Sequence, residues 1–223
     1  MNLSNDTLKI LKNFSEINNT IRIYKGKSII TVDPQKRIVA DASIQENIPT
    51  DFAIYNLNEF LGVSSAHESS NLEFKSDKVV FNGKKSNLEY FYSDPSTVQD
   101  ATQIRKKIPS VFDETSIVHR FTMTDEDLKC LRQNASLLSL THVSFVGTDS
   151  EVKVVVHDLS SRSTQNKFTL TVDGTSNKSE TYNMLFENLK LLPDSYDVEV
   201  SPTVAHFVGK TTNVHYWIVM EAN

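Results

Sequence analysis

The stretch that decides the fold is Ser4-Asn-Asp-Thr-Leu-Lys-Ile-Leu-Lys12, because it returns later as Thr124-Asp-Glu-Asp-Leu-Lys-Cys-Leu-Arg132. At one constant offset Ser4 aligns with Thr124, Leu8 with Leu128, Lys9 with Lys129, Leu11 with Leu131 and Lys12 with Arg132. Self-similarity of this kind marks a structural unit used twice. Each copy reads as a helix. Ser4 and Thr124 are N-cap residues, and acids fill the first turn, where the helix dipole favours them. Met123 and Leu128 stand at the spacing of a hydrophobic staple. In the first copy Leu3, Thr7, Ile10, Phe14 and Ile17 recur at three- and four-residue steps and form one stripe. In the second, Leu128, Leu131, Ala135 and Leu138 do so. Lys9 and Lys12, and in the second copy Lys129 and Arg132, project from the opposite side.

Working outward, each helix precedes the same layout of β-rich run, glycine turn and second β-rich run. These are Thr20–Tyr24, Gly26 and Ser28–Val32, then Thr141–Val146, Gly147 and Glu151–His157. Further alternating β-branched and aromatic runs predict strands at Arg37–Ser43, Asp51–Asn56, Asn71–Lys75, Lys78–Phe81 and Asn87–Tyr92. In the second half they fall at Ser116–Phe121, Lys167–Val172, Tyr196–Val200, Val204–Val208 and Val214–Met220. Asn82-Gly83 and Asp173-Gly174 are turn dipeptides. Each half also carries a second helical pattern: Leu57–Ala66, and Thr181–Leu192 stopped by Pro193. Between the halves, Ser93–Ser110 is polar, holds Pro95 and Pro109, and reads as an extended connector. The expectation is an α+β chain of two similar domains, 1–93 and 111–223, joined by residues 94–110.

Composition narrows the function. With 223 residues, 39% hydrophobic and 23% charged, the chain suits folded cores and not wholesale disorder. No apolar run is long enough to span a bilayer, and Met1–Asp6 lacks a signal-peptide layout. The single cysteine, Cys130, forms no internal disulfide, so a cytosolic setting is expected. A net charge of −5 argues against a uniformly basic nucleic-acid binder, although a local field depends on where charges sit. The six histidines show no metal-ligand spacing, and there is no CxxC, P-loop, GxGxxG or GxSxG. Asp125-Glu126-Asp127 is explained by helix capping without a metal. No catalytic residue, cofactor or metal is expected, and the chain is read as a non-enzyme.

The specific words in the chain resemble the sliding clamp of T-even-type tailed phages, a DNA polymerase processivity factor similar in architecture to proliferating cell nuclear antigen. They are Leu3-Ser4, Asp6-Thr7, Leu11-Lys12-Asn13-Phe14, Ala53-Ile54-Tyr55-Asn56-Leu57-Asn58-Glu59-Phe60-Leu61-Gly62, and Asp94-Pro95-Ser96-Thr97-Val98. Asn188-x-Lys190 before Pro193 and Tyr196, and Tyr216–Ala222 near the end, fit the same pattern. The chain departs from the family mostly in loops and in the connector, where Arg105-Lys106-Lys107 is extra. The resemblance implies a homotrimeric ring of six domains, helices lining the hole and strands outside. It also implies duplex DNA passing through without base readout, a replicative polymerase tethered to the ring, and an ATPase clamp loader. Other replication or late-transcription factors would share the platform, in the cytoplasm of the infected bacterial host.

On that frame Lys9, Lys12, Lys129, Arg132 and Lys190 are expected to face DNA, since lysine and arginine attract phosphate without reading bases. Charge reversal at Lys12 and Arg132 together is expected to weaken retention on DNA and leave the oligomer intact. The family topology implies a subunit seam between Asn87–Tyr92 and Lys167–Val172, with Tyr90, Phe91 and Tyr92 against Phe168, Leu170 and Val172. Val98, Ile104, Ile108 and Val204 are expected to floor a pocket for partner peptides. The rival reading is a non-enzymatic trimeric phage structural protein of the baseplate or head. Such a protein has no need of basic residues repeated at matching helix positions.

Overall fold

The computed structural model describes residues 1–67, 70–148, 151–159 and 166–221, so Ala222 of the quoted closing segment lies outside the described residues. The chain divides into two compact units, Met1–Lys106 and Lys107–Asn223. The N-terminal unit holds α1 (Asn5–Ile17), β1 (Ile21–Ile23), β2 (Gly26–Val32), β3 (Ile38–Ile48), β4 (Phe52–Ile54), α2 (Leu57–Ala66), β5 (Asn71–Phe74), β6 (Lys78–Asn82), β7 (Asn87–Phe91) and α3 (Ala101–Arg105). The C-terminal unit holds β8 (His119–Met123), α4 (Asp125–Leu138), β9 (His142–Gly147), β10 (Val152–His157), β11 (Phe168–Val172), β12 (Gly174–Ser176), β13 (Thr181–Leu185), β14 (Tyr196–Val200), β15 (Val204–Gly209) and β16 (Val214–Val219).

Both repeated segments are helices with the caps the sequence predicts. At α1 the Ser4 hydroxyl accepts from the Thr7 amide. Glu46, reaching over from β3, accepts from the Ser4 amide and from the Thr7 hydroxyl, the latter at 2.6 Å. At α4, Thr124 Oγ1 accepts from the Asp127 amide at 3.1 Å, and Asp127 accepts from the Thr124 amide at 2.8 Å. This reciprocal box satisfies two of the orphan donors of the first turn. The apolar stripe of α1 buries Ile10, Leu11, Phe14 and Ile17 along with Thr7, while Leu3 is half-buried. In α4 the stripe is Leu128, Leu131 and Ala135. Leu138, expected in that stripe, is instead 39% exposed. The reason is the helix end. Ser139 adopts the left-handed conformation with φ 53, and the Leu140 amide bonds back to Ala135 O at 2.9 Å. Leu140 therefore takes the buried place, and the last turn of α4 is left uncovered.

In the N-terminal unit β1 pairs with β4, β2 with β3, and β5, β6 and β7 run in that order, all antiparallel. Gly26, at φ 126, sits at the register break of the β2–β3 pair, a conformation other residues rarely adopt. In the C-terminal unit one antiparallel sheet has the order β11-β10-β9-β13. A second antiparallel run places β12, β8, β14, β15 and β16 side by side. Phe145 and Phe207, both buried, meet at 6.3 Å between these two sheets.

Two expectations are corrected. Thr181–Leu192 is not a helix: its first five residues form β13 against β9, and only a 3₁₀ turn at Phe186–Asn188 follows. Tyr182 and Met184 are buried and their neighbours less so, a period of two that the helix-favouring Met, Leu and Glu mask. The strap Leu189–Leu192 runs on without regular structure and buries Leu189, Leu191 and Leu192. The expected connector is not an extended linker either. It contains α3, capped by Asp100, and Arg105 of that helix bonds Asp41 of β3 at 3.0 Å. The two units meet inside it, between Lys106 and Lys107.

Candidate nucleic-acid interface and assembly edges

Lys9 and Lys129, matched in the repeat, are matched in the structure. Each is exposed and paired with an acid one turn earlier: Lys9 with Asp6 at 3.2 Å, and Lys129 with Asp125. With both members of the Lys9 pair 70% exposed, such a pair adds well under about 1 kcal/mol to stability. Its lysine is cheaply released to a phosphate. Lys12 is exposed and has no ion pair among the described residues.

Arg132 differs from its counterpart Lys12. One guanidinium nitrogen donates to Leu189 O at 3.2 Å and to Leu191 O at 2.7 Å. The strap has no ladder of its own, so its carbonyls need outside donors. Tyr196 donates to Leu192 O at 2.6 Å, and the Leu192 amide donates to the Tyr216 hydroxyl at 3.2 Å. Burial pushes both phenols well above their ordinary pKa, so they stay protonated and keep these bonds. Lys190 is half-buried and stands between the two residues whose carbonyls Arg132 holds. Arg132 thus positions the strap that carries Lys190.

The expected seam residues divide by face. Tyr92 stacks on Phe52 at 4.8 Å and Tyr90 meets Phe60 edge-on at 5.4 Å, so both lie toward the core of the N-terminal unit. Phe91 points to the other face, is 60% exposed, and lies under the Lys78 ammonium at 4.9 Å. In the C-terminal unit Val172 is buried, while Phe168 and Leu170 are half-covered on the same side of β11. Among the described residues of its unit β7 pairs only with β6, and β11 pairs only with β10. Each presents an open edge of backbone donors and acceptors.

Of the four expected pocket residues, Val98 and Ile104 belong to the N-terminal unit and Ile108 and Val204 to the C-terminal unit. Val98, Ile108 and Val204 are buried and present no open apolar floor. The C-terminal unit carries a different apolar surface, which sequence reasoning missed. Across β15 and β16, His206 stacks on Trp217 at 4.6 Å, His206 Nε2 lies 3.1 Å from His215 Nδ1, and Phe112 meets His206 edge-on at 5.4 Å. Val111 and Val219 nearby are 54% and 42% exposed. The signal was the alternation His215, Trp217, Val219, which puts all three on one face of a strand.

The two-unit plan, with a capped basic helix in each repeat and antiparallel sheets behind it, has counterparts among known proteins. A family model described as DNA polymerase processivity factor matches residues 4–99. The sliding clamp of Vibrio phage KVP40 is 26% identical, over the whole of both chains. That of Enterobacteria phage T4 is 29% identical over all of this chain and 98% of its own. Among solved structures, A. fulgidus PCNA bound to the C-terminal region of FEN-1 superposes with TM-score 0.69 at 13% identity, covering 99% of this chain and 97% of that one. Over its whole length the chain is thus similar to the sliding clamps of tailed phages.

Proposed function

We propose that this chain closes as a homotrimeric ring around duplex DNA and tethers the phage replicative polymerase for processive synthesis, loaded by an ATPase complex in the cytoplasm of the infected bacterium. The observation that carries the reading is whole-length likeness to phage sliding clamps together with basic residues placed alike on the two repeated helices. A baseplate or head component explains neither. In this reading the ring performs no chemistry. Lys9, Lys12, Lys129 and Lys190 supply a diffuse attraction to phosphate, strong enough to centre the duplex and too unspecific to stop sliding. The overall charge of −5 keeps the remaining surface unattractive to DNA.

Partner peptides dock, in this proposal, on the surface built by Val111, Phe112, His206, Trp217 and Val219. It sets the exposed Val111 and Val219 beside a stacked His206–Trp217 pair, in which Trp217 is itself buried and makes the floor firm. Trp217, buried beneath that surface, is the chain's single tryptophan, so its fluorescence can be followed without interference. A peptide from the cognate polymerase should shift that emission saturably in the wild type and not in Val219→Glu.

The test of the ring is topological. Light scattering should give a mass near three times 25.2 kDa. Once loaded, the protein should stay on nicked circular DNA and run off when the circle is cut. Equal loss from circular and linear DNA would overturn the reading.

A further inference from the structure

We propose that the N-terminal unit carries a binding site for a purine nucleotide: the base enters the cavity between the start of α1 and the end of α2, and the phosphate meets Lys84 and Lys85 on the turn between β6 and β7. The site shares no residue with the basic helix faces or with the surface around Trp217, and it needs neither a closed ring nor a partner peptide.

The starting observation is a cavity of about 200 Å³. Drug-sized ligands fill about 300 Å³ or more, so this one suits a single flat ring system. Its walls are apolar: Leu8 of α1, Leu72 of β5 and Phe81 of β6, with the His67 ring tilted against Phe81 at 6.0 Å. Among the described residues no carboxylate, lysine or arginine lines it. A charged guest would find no counter-charge inside, and a plain hydrocarbon would leave the polar lining unpaired. Apolar walls edged by neutral amides and hydroxyls are the surroundings of a nucleobase held out of its stack. Three polar groups have capacity to spare. The Ser64 hydroxyl belongs to a residue 6% exposed and has no hydrogen-bond partner among the described residues. Such a group is costly unless a guest supplies an acceptor. Asn2 Nδ2 donates to Ser70 O and Met1 O, each at 3.0 Å, which leaves Asn2 Oδ1 to accept from an amino group. Asn5, on the exposed first turn of α1, offers an amide donor and acceptor together, the combination that reads the edge of adenine.

The hairpin then fixes where the phosphate goes. β5 and β6 pair with Asn71 opposite Asn82, so Gly83 follows beside Ser70. A Cβ at Gly83 would stand 3.5 Å from Ser70 Oγ, and the Gly83 amide closes the turn on Ser86 O at 2.9 Å. The turn therefore stands at the Ser70 side of the cavity. It carries Lys84 and Lys85, both exposed and without an ion pair among the described residues. Glu73, on the neighbouring strand, is engaged by Asn82 Nδ2 at 3.4 Å and by Lys75 at 3.8 Å. An uncharged, base-sized cavity with two ammonium groups at its side matches the two halves of a nucleotide, a neutral ring and an anionic phosphate. Asn5 lies at the rim and Ser64 at the inner wall, so a base that bonds both spans the depth of the cavity, which favours two rings over one.

The experiment uses the full chain and 2-aminopurine riboside monophosphate, excited beyond the absorption of Trp217. Its emission should be quenched saturably, with half-saturation below about 1 mM, and dAMP should displace it at least about tenfold better than dCMP. Ser64→Ala, with its thermal midpoint not lowered, should weaken binding about fivefold. Lys84→Glu with Lys85→Glu should weaken the nucleotide about tenfold and leave the unphosphorylated riboside unaffected. No quenching up to about 10 mM, equal displacement by dCMP, or an affinity untouched by both variants would overturn the site. Two sources share this chemistry, and the competitor separates them. Displacement by a short dA oligomer in a Lys12→Glu, Lys129→Glu background identifies an unpaired nucleotide of a DNA strand. Displacement by dAMP alone identifies a free nucleotide, and either result supports the site. None of these readouts needs a closed ring, so a chain that stays monomeric and binds the purine supports the site and overturns only the ring.

Discussion

Lys12 and Arg132 occupy the same place in the repeat and do different work. Lys12 stands on a helix whose neighbour, α2, satisfies its own backbone, so its charge is left for a ligand. Arg132 stands opposite a strap that replaces the second helix, and its guanidinium supplies the donors that the strap lacks. A repeat at sequence level thus fixes position and charge but not use. Use depends on what the opposing segment still needs. The joint charge reversal at Lys12 and Arg132 is for that reason a poor probe of DNA contact, because its second half would strip two buried carbonyls of their donor.

The largest effect that would sharpen this contrast is on stability. Arg132→Ala should lower the unfolding free energy by about 2–3 kcal/mol, the scale of charged hydrogen bonds lost to buried acceptors. Lys12→Ala should stay within about 0.5 kcal/mol. Equal urea midpoints for the two variants would break the comparison. Next is DNA retention. Lys12→Glu and Lys129→Glu should each weaken retention and reduce the steepness of its salt dependence by about one phosphate's share, with folding unchanged. A salt series that superimposes on the wild type would remove these side chains from the interface. Smaller again are the caps. Thr124→Ala should cost about 1 kcal/mol. Ser4→Ala should cost less, because Glu46 still holds the first turn of α1.

A final contrast is in acid sensitivity. His119 is fully buried and shares a hydrogen bond of 2.8 Å with Ser176, whose own proton goes to Lys178 O. His119 Nδ1 must then be the donor, and burial lowers the pKa below its ordinary 6.5. The unfolded chain takes up that proton first. The contribution to stability is therefore complete above about pH 6.5 and is lost as pH falls through the folded value. Glu46, in the N-terminal unit, has the same sign in a lower window. Burial alone would raise its pKa, but hydrogen bonds from Thr7 and Ser4 outweigh this and hold it below 4.5. Urea titrations from pH 8 to 5 should show the wild type weakening and His119→Asn with a flatter profile. Parallel profiles would mean that His119 takes up its proton as readily in the fold as in the unfolded chain.

The helices, their caps, most strands and the twofold plan were legible because they depend on local periodicity and capping chemistry. β13 was not: Tyr182 and Met184 alternate inward, yet Met184-Leu-Phe-Glu187 favours a helix, and pairing with β9 overrides that preference. The exposure of Leu138 was hidden because it hinges on Ser139 turning left-handed, a conformation serine does not announce. At the candidate site, charge positions could be read from the repeat. Engagement could not, since the partners of Arg132 lie 57 and 59 residues away.

The two open edges have one more consequence. β7 and β11 are unlike surfaces, so in the proposed ring contact between copies would be head to tail, and a ring closed by such contacts has a rotation axis along its hole but no twofold across it. Its front and back are different. All copies of the His206–Trp217 surface then turn the same way. In that reading a ring threaded in one sense turns the proposed docking surfaces toward whatever works ahead of it, and a ring threaded backwards turns them away. Correct loading of the proposed ring would thus be a matter of which face leads along the DNA, decided when the ring shuts and kept for as long as it slides.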